Sequence, residues 1–511
     1  MLYAPPRPLT TASPRRTPSR YQQAIYDFVI DGTGDALVDA VPGSGKTTTL
    51  VEAAALIDGD GLFVAFNKHI ATELGERLPA TMAASTIHSM GLKTLSAAGL
   101  RPTVEQRKYR ALALAYFTND DRALDKTTAH DLVDLTLPVL SLAQLTLTDP
   151  GDQGALYAMA TDYSLDLTSW EQVAPAVKPI LHRGFLARQD AIDFNDMVWL
   201  PHVLGLTPVQ YAWVMVDEAQ DLNAAQRELV LRARRPGGRV IAVGDARQSM
   251  YMFAGADTRA MGRIVERTNA VTLPLSISYR LPRSHAALVN TVYRTVESPP
   301  WAIEGTIEDV DEDDALGLIR VGDMVLCRLN APLVGLAYRL IRSGVPARVR
   351  GRDIGKGLVR LVTTLEKQRG FTMRSLPDAL AAHVARLERE QCNVGGDEAR
   401  AAMAIASAQD RTATIQVIAD ATRPHDVDAL KAAIAAIFVD EEGRYVSLST
   451  VHKAKGLEAD RVWILAPDKM PHRKATSPQQ RIQEENIRYV AFSRAKEALY
   501  FLRDGTARRT A

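Results

Sequence analysis

Cysteine is nearly missing from this chain: 511 residues carry two, Cys327 and Cys392. They give no disulfide framework and no metal-ligand spacing, and such usage fits a reducing cytoplasm. Long apolar runs are missing as well. No stretch of roughly eighteen apolar residues occurs, so no membrane span is read and no membrane partner is expected. The opening segment, MLYAPPRPLTTASPRRTPSRYQQ, has arginines but no apolar core, which argues against a secretory signal. Surplus charge is lacking too. Lys and Arg total 61 against 60 Asp and Glu, leaving +1, so the basic balance of many nucleic-acid binders is not there. Any nucleic-acid contact has to be local, made by a groove rather than by the whole surface. Charge is patterned instead: residues 1–20 hold Arg7, Arg15, Arg16 and Arg20 without an acid, whereas EGTIEDVDEDDA (304–315) is strongly acidic. No internal repeat is found, and the length suggests several domains.

What the chain does have is phosphate chemistry. ALVDAVPGSGKTTTLVEAAALI (36–57) reads as an apolar strand, a glycine loop and a helix. It matches G-x-x-x-x-G-K-[ST], except that Ala40 stands where the first glycine usually does. Gly43, Ser44 and Gly45 let backbone N–H groups curl around phosphate oxygens, and the following helix points its positive end at them. Lys46 can reach the terminal phosphates, the Thr47 hydroxyl suits Mg²⁺, and Thr48 continues the nucleotide-binding run. ATP and Mg²⁺ are the expected ligands. A second apolar strand, in YAWVMVDEAQDLN (211–223), delivers Asp217 and Glu218 at its C-terminal end, the edge where open α/β sheets bind ligands. Asp217 would hold Mg²⁺ with Thr47, and Glu218 would orient and deprotonate the attacking water. A third, VGDARQSMYMFAGAD (243–257), places Asp245, Gln248, Tyr251 and Phe253 just past its end. Read alone, that spacing is open to ordinary loop chemistry or to a device joining two binding sites.

DEAQD after such a strand, with GSGKTT upstream, resembles the UvrD/Rep/PcrA group of superfamily-one DNA helicases. The resemblance runs along most of the chain in the family's order: SRYQQAIYDFV (19–29), FVAFNKHIATEL (63–74), TIHSMG (86–91), the 243–257 segment, LSISYRLP (275–282), VSLSTVHKAKGLEADRVWIL (446–465) and EENIRYVAFSRAKEAL (484–499). Within the group, FNKHIA, TIHSMG and RGRDIG look nearest the small phage and F-box-type helicases. The resemblance implies an α/β fold of the P-loop NTPase kind, with two RecA-like domains sandwiching ATP and each carrying a mainly helical insertion. By the same resemblance Gln22 reads the adenine edge, Tyr279 stacks on the adenine and Glu458 faces the nucleotide. Arg280 and Arg494 would act as internal arginine fingers, a role that suits a permanent, many-donor charge.

Single strands are held by base stacking on aromatics and by donors to phosphates. The matched segments contain Phe66, Asn67 and Lys68, His88 and Ser89, Tyr251 and Phe253, and Thr450, His452 and Lys455, which the resemblance lays across the top of both domains. The expected organisation is a basic Pro/Arg tail (1–17), a first RecA-like domain (18–90 and 182–275) with a helical insertion (91–181), and a second (276–365 and 441–511) with a reduced one (366–440). Where relatives read R-G-A, this chain has Ala254-Gly255-Ala256, so an arginine that ties the domains is missing and coupling is weakened or rerouted. The implied activity is an ATP-dependent helicase or translocase moving 3′→5′ on single-stranded DNA, acting on tailed duplexes. Single-strand-binding, repair or replication proteins are expected partners, with nucleoid association if the source is bacterial or phage. Two alternatives stay open: a translocase that strips proteins with little unwinding, and an ATP-switched DNA-binding module.

Overall fold

The computed structural model describes residues 17–65, 67–119, 126–163, 165, 167, 169–249, 259–393, 398–440 and 443–503. Apolar runs too short for buried helices become strands: β1 (Ala36–Ala40), β2 (Gly61–Ala65), β3 (Met82–Thr86), the short β4 (Thr103–Val104) and β5 (Ala191–Ile192), β6 (Tyr211–Val216), β7 (Arg234–Gly244) and β8 (Val271–Leu275). Six of them form one parallel sheet, ordered β3-β2-β6-β7-β1-β8. Parallel sheets are covered on both faces, which is why the central runs Leu62–Ala65, Trp213–Val216 and Val240–Val243 are apolar and buried rather than alternating. Leu37, Val214, Val240 and Ala242 enter one core. Val38, Met215, Ile241 and Val243 enter the other.

The helices between β3 and β6 build a separate core in which Leu140, Leu156, Val177 and Ile180 are fully buried. At its centre lies a charge pair. Lys108 Nζ is 2.5 Å from Asp196 Oδ2, with both side chains almost fully buried. Tyr109 and Gln144 donate to Asp196 at 2.8 and 2.9 Å.

The second sheet is built from β9 (Thr306–Asp311), β10 (Met324–Cys327), β11 (Ala347–Arg350), β12 (Phe438–Val439), β13 (Val446–Thr450), β14 (Ala459–Leu465) and β15 (Ala495–Arg503). All are parallel, in the order β12-β11-β13-β10-β14-β15-β9. Met324, Leu326, Val462 and Ile464 face one side, against the helix Pro478–Phe492. Val325, Cys327, Leu448 and Trp463 face the other, in one continuous core with Leu361, Leu376, Ile415 and Ile434. The helices of the 366–440 segment are therefore a cover for this sheet, sharing its core. Among the described residues no helix is long and apolar enough to cross a membrane.

Candidate functional site

The carboxyl ends of β1, β6 and β7 converge, and the second domain closes over them. After β1 the chain turns through Gly43 and Gly45, whose φ angles of 72° and 78° lie in the left-handed region that glycine adopts without strain. Gly43 is needed twice over, because a Cβ there would stand 2.3 Å from Arg280 Cβ. Gly45 caps the helix Lys46–Ala54. Inside the loop, the Ser44 hydroxyl is buried and has no hydrogen-bond partner among the described residues. An orphaned polar group at a helix N-terminus fits a phosphate oxygen.

Thr47 Oγ1 and Asp217 Oδ2 lie 2.5 Å apart at the next position. A hydroxyl and a carboxylate are hard oxygen ligands of the kind Mg²⁺ takes, so Thr47 and Asp217 fit the ion. Burial and the adjacent Glu218 raise Asp217 to about 6. Glu218 behaves oppositely. Burial would raise it, but Lys46, the Gln220 amide, Lys455 and Arg494 outweigh that and hold it below the usual carboxylate range. Its φ of 53° is a left-handed conformation rare for glutamate, the sort of local strain that gathers at functional sites. The pair thus contains a carboxylate held ionised next to one tuned upward.

The sensor lies one strand over. Gln248 Nε2 donates to Asp245 Oδ2 at 2.9 Å, and Asp245 accepts from Tyr489 of the second domain at 3.0 Å. Gln248 Oε1 is 3.5 Å from the Arg494 guanidinium. Arg494 is fully enclosed, donating to Val490 O, Leu457 O and Ser493 Oγ. Burial and nearby Arg280 lower it to about 10, so it stays charged at neutral pH. Arg280 pairs with Glu458 Oε2 at 2.5 Å, and Lys496 holds the other oxygen at 2.8 Å. On the far side of the loop, Gln22 joins three groups: its amide donates to Thr49 at 3.1 Å, and its oxygen accepts from Ser19 N and from the Tyr279 hydroxyl. Thr48 faces outward on the helix.

The expected strand contacts are less uniform. Phe66, Tyr251, Phe253 and the Ala254 departure lie outside the described residues. Asn67 and Lys68 are exposed, with Asn67 capping the helix Lys68–Arg77. His88 meets Phe194 edge to face at 5.9 Å, and Ser89 lies in the first turn capped by Thr86. Phe194, 45% exposed, is an aromatic that sequence reasoning passed over. Thr450 is buried at the end of β13. Burial, then Arg328 and Lys453, drive His452 down to about 3, so it is neutral at working pH. Lys455 is turned inward. Its ammonium sits 2.6 Å from both oxygens of Asp221, across the domain boundary, with side-chain exposures of 8% and 7%.

Further ties between the domains went unassigned in the sequence. Asn486 Nδ2 donates to Ser249 O at 3.1 Å. Arg247 binds Asp245 and Asp39 at 2.7 Å each and lies 5.9 Å from the Tyr489 ring centroid. Asn486 and Tyr489 were visible inside EENIRYVAFSRAKEAL, but only their position opposite β7 gives them a role.

The chain's similarities agree with this layout. The family model for the UvrD/REP helicase N-terminal domain matches residues 22–268, and that for the UvrD-like helicase C-terminal domain matches 412–503. The chain is 28% identical to the ATP-dependent DNA helicase PcrA of Leuconostoc citreum over 51% of its own length and 37% of that protein. It is 29% identical to the Rep helicase of Escherichia coli strain K12, over 46% of this chain and 37% of the relative. UvrD2 of Mycobacterium bovis is 25% identical across 92% of this chain and 76% of its own. The matches thus span little more than a third of the PcrA and Rep relatives. With its phosphate loop, acidic strand end and sensor network in the matched segments, the chain belongs to the UvrD-like family of superfamily-one helicases.

Proposed function

We propose that this protein is an ATP-driven motor on single-stranded DNA that separates tailed duplexes, moving 3′→5′. One observation carries the reading. The phosphate loop, the Asp217–Glu218 pair and two second-domain arginines meet in a single interdomain cleft, with Gln248 linking Asp245 to Arg494. Glu218, held ionised by its cationic neighbours, is suited to accept a proton from the attacking water. Lys46, Arg280 and Arg494 place fixed positive charge where negative charge builds on the transferring phosphoryl group. Thr47 and Asp217 would hold Mg²⁺, which when bound neutralises phosphate charge. Tyr489, Asn486 and Lys455 bind elements of the first domain directly, so closure on ATP moves motif segments of both domains together. The strand would cross Phe66, Asn67, Lys68, His88, Ser89, Tyr251, Phe253, Thr450 and His452, with Lys455 joining when its pair with Asp221 opens. UvrD-type relatives named as ATP-dependent DNA helicases support the substrate assignment.

Lys46→Ala should abolish DNA-stimulated ATP hydrolysis while single-strand binding persists, measured by phosphate release and by fluorescence anisotropy. Normal turnover in that variant would refute the site. Strand displacement on duplexes with 3′ or 5′ tails tests polarity, and unwinding from 5′ tails alone would reverse it.

A further inference from the structure

A nucleotide seated on the proposed phosphate loop would bring its base toward Gln22 and Tyr279. Tyr279 N donates to Gly43 O at 2.9 Å, so its ring begins one residue from a backbone bond to the loop. The Tyr279 hydroxyl reaches Gln22, and Gln22 reaches Thr49 on the helix that starts at Lys46. Loop, amide and phenol ring are thus tied together at the start of the helix Lys46–Ala54.

A further side chain stands beside Tyr279. The Trp301 ring is nearly parallel to Tyr279, 21° between planes, with centroids 6.5 Å apart. This is the loose end of the roughly 4.5–7 Å range of direct aromatic pairs. Trp301 also remains 71% exposed, whereas Trp199, Trp213 and Trp463 are buried. The chain around it is pinned. Arg283 donates to Pro300 O and to Ile303 O at 2.8 Å each, and Ser284 N to Glu304 O at 3.0 Å. A large indole, presented by an anchored loop beside a near-parallel ring and mostly exposed, leaves aromatic surface open to another ring.

We infer that Trp301 is a base-binding residue: with Tyr279 it offers two aromatic faces to the purine of the bound nucleotide, while Gln22 lies at the base edge. The inference rests on the proposed ATP site and extends it to a residue outside the motif segments. Purines cover both rings more fully than pyrimidines, so the pair selects purine nucleotides. Trp301 acts on the base and not on the phosphates.

The test compares the full-length protein with Trp301→Ala and Trp301→Phe. Trp301→Ala should raise the KM for ATP about tenfold, a modest share of what base stacking contributes, while kcat of DNA-stimulated hydrolysis is kept. Trp301→Phe should recover most of the loss. Inhibition by inorganic tripolyphosphate, which has no base, should be the same in all three. ADP should quench tryptophan emission in the parent and leave Trp301→Phe unquenched. An unchanged KM in Trp301→Ala, or equal quenching in Trp301→Phe, would overturn the inference and leave the ATP site standing. Failure of the parent to bind either ADP or tripolyphosphate would overturn both.

Discussion

Two buried lysine–aspartate pairs in this molecule share a chemistry and differ in what surrounds them. Lys108 and Asp196 sit inside the helical unit between β3 and β6, in a network completed by Tyr109 and Gln144. Lys455 and Asp221, 234 residues apart, join two domains with separate cores, and Asp221 belongs to the segment that carries Glu218. Desolvation makes a buried ion pair a poor source of net stability, yet removal of one partner strands the other. The difference lies in where the stranded charge can go. Asp196 has no route to water without unfolding its core, whereas Asp221 would regain water if the proposed ATP cycle opens the cleft. The same bond is structural in one place and conformational in the other.

That contrast can be broken by substitution. Lys108→Met should have the largest effect, lowering stability by about 3–5 kcal/mol in denaturant unfolding. A shift under about 1 kcal/mol would erase the distinction. Lys455→Ala should leave the unfolding midpoint nearly unchanged and reduce DNA-stimulated turnover roughly ten- to a hundredfold, equivalent to about 1.4–2.8 kcal/mol of barrier. Loss of stability with normal turnover would invert the assignment. The smallest effect is on pH dependence. Burial and Asp196 raise Asp193 to about 6, above its unfolded value of about 3.9. Its contribution to stability is therefore complete below that unfolded value and lost as pH rises through about 6. Asp193→Asn, which keeps the helix cap, should flatten the fall in melting temperature between about pH 4 and pH 6.

The sequence made the chemistry legible where chemistry restricts residue type. A loop that wraps phosphate needs Gly43 and Gly45, and a metal beside a nucleophilic water needs an acidic strand end, so these candidates could be picked from spacing, whereas Gln22, Tyr279, Glu458, Arg280 and Arg494 came only from the family resemblance. Partners chosen by folding were not legible. Nothing near Lys455 in sequence announces Asp221, and nothing near Arg247 announces Asp39, 208 residues away. Helices occupy most of 376–437, but their shared core with β10, β13 and β14 depends on which face each presents. Trp301 was invisible for the same reason: an isolated tryptophan in a Pro-rich stretch acquires meaning only beside Tyr279.

Strand β8 pairs along β1, the strand that feeds the phosphate loop, and ends at Leu275. Tyr279 and Arg280 follow after Ser276, Ile277 and Ser278, a tether whose full reach is at most ~3.6 Å per residue. Ser278 is clamped to Pro42 O at 2.7 Å, and Tyr279 to Gly43 O. The crossing between the two sheets therefore has almost no slack and behaves as a short crank rather than a rope. A rotation of the second sheet about this point is delivered directly at the phosphate loop, alongside the Tyr489–Asp245 and Lys455–Asp221 contacts.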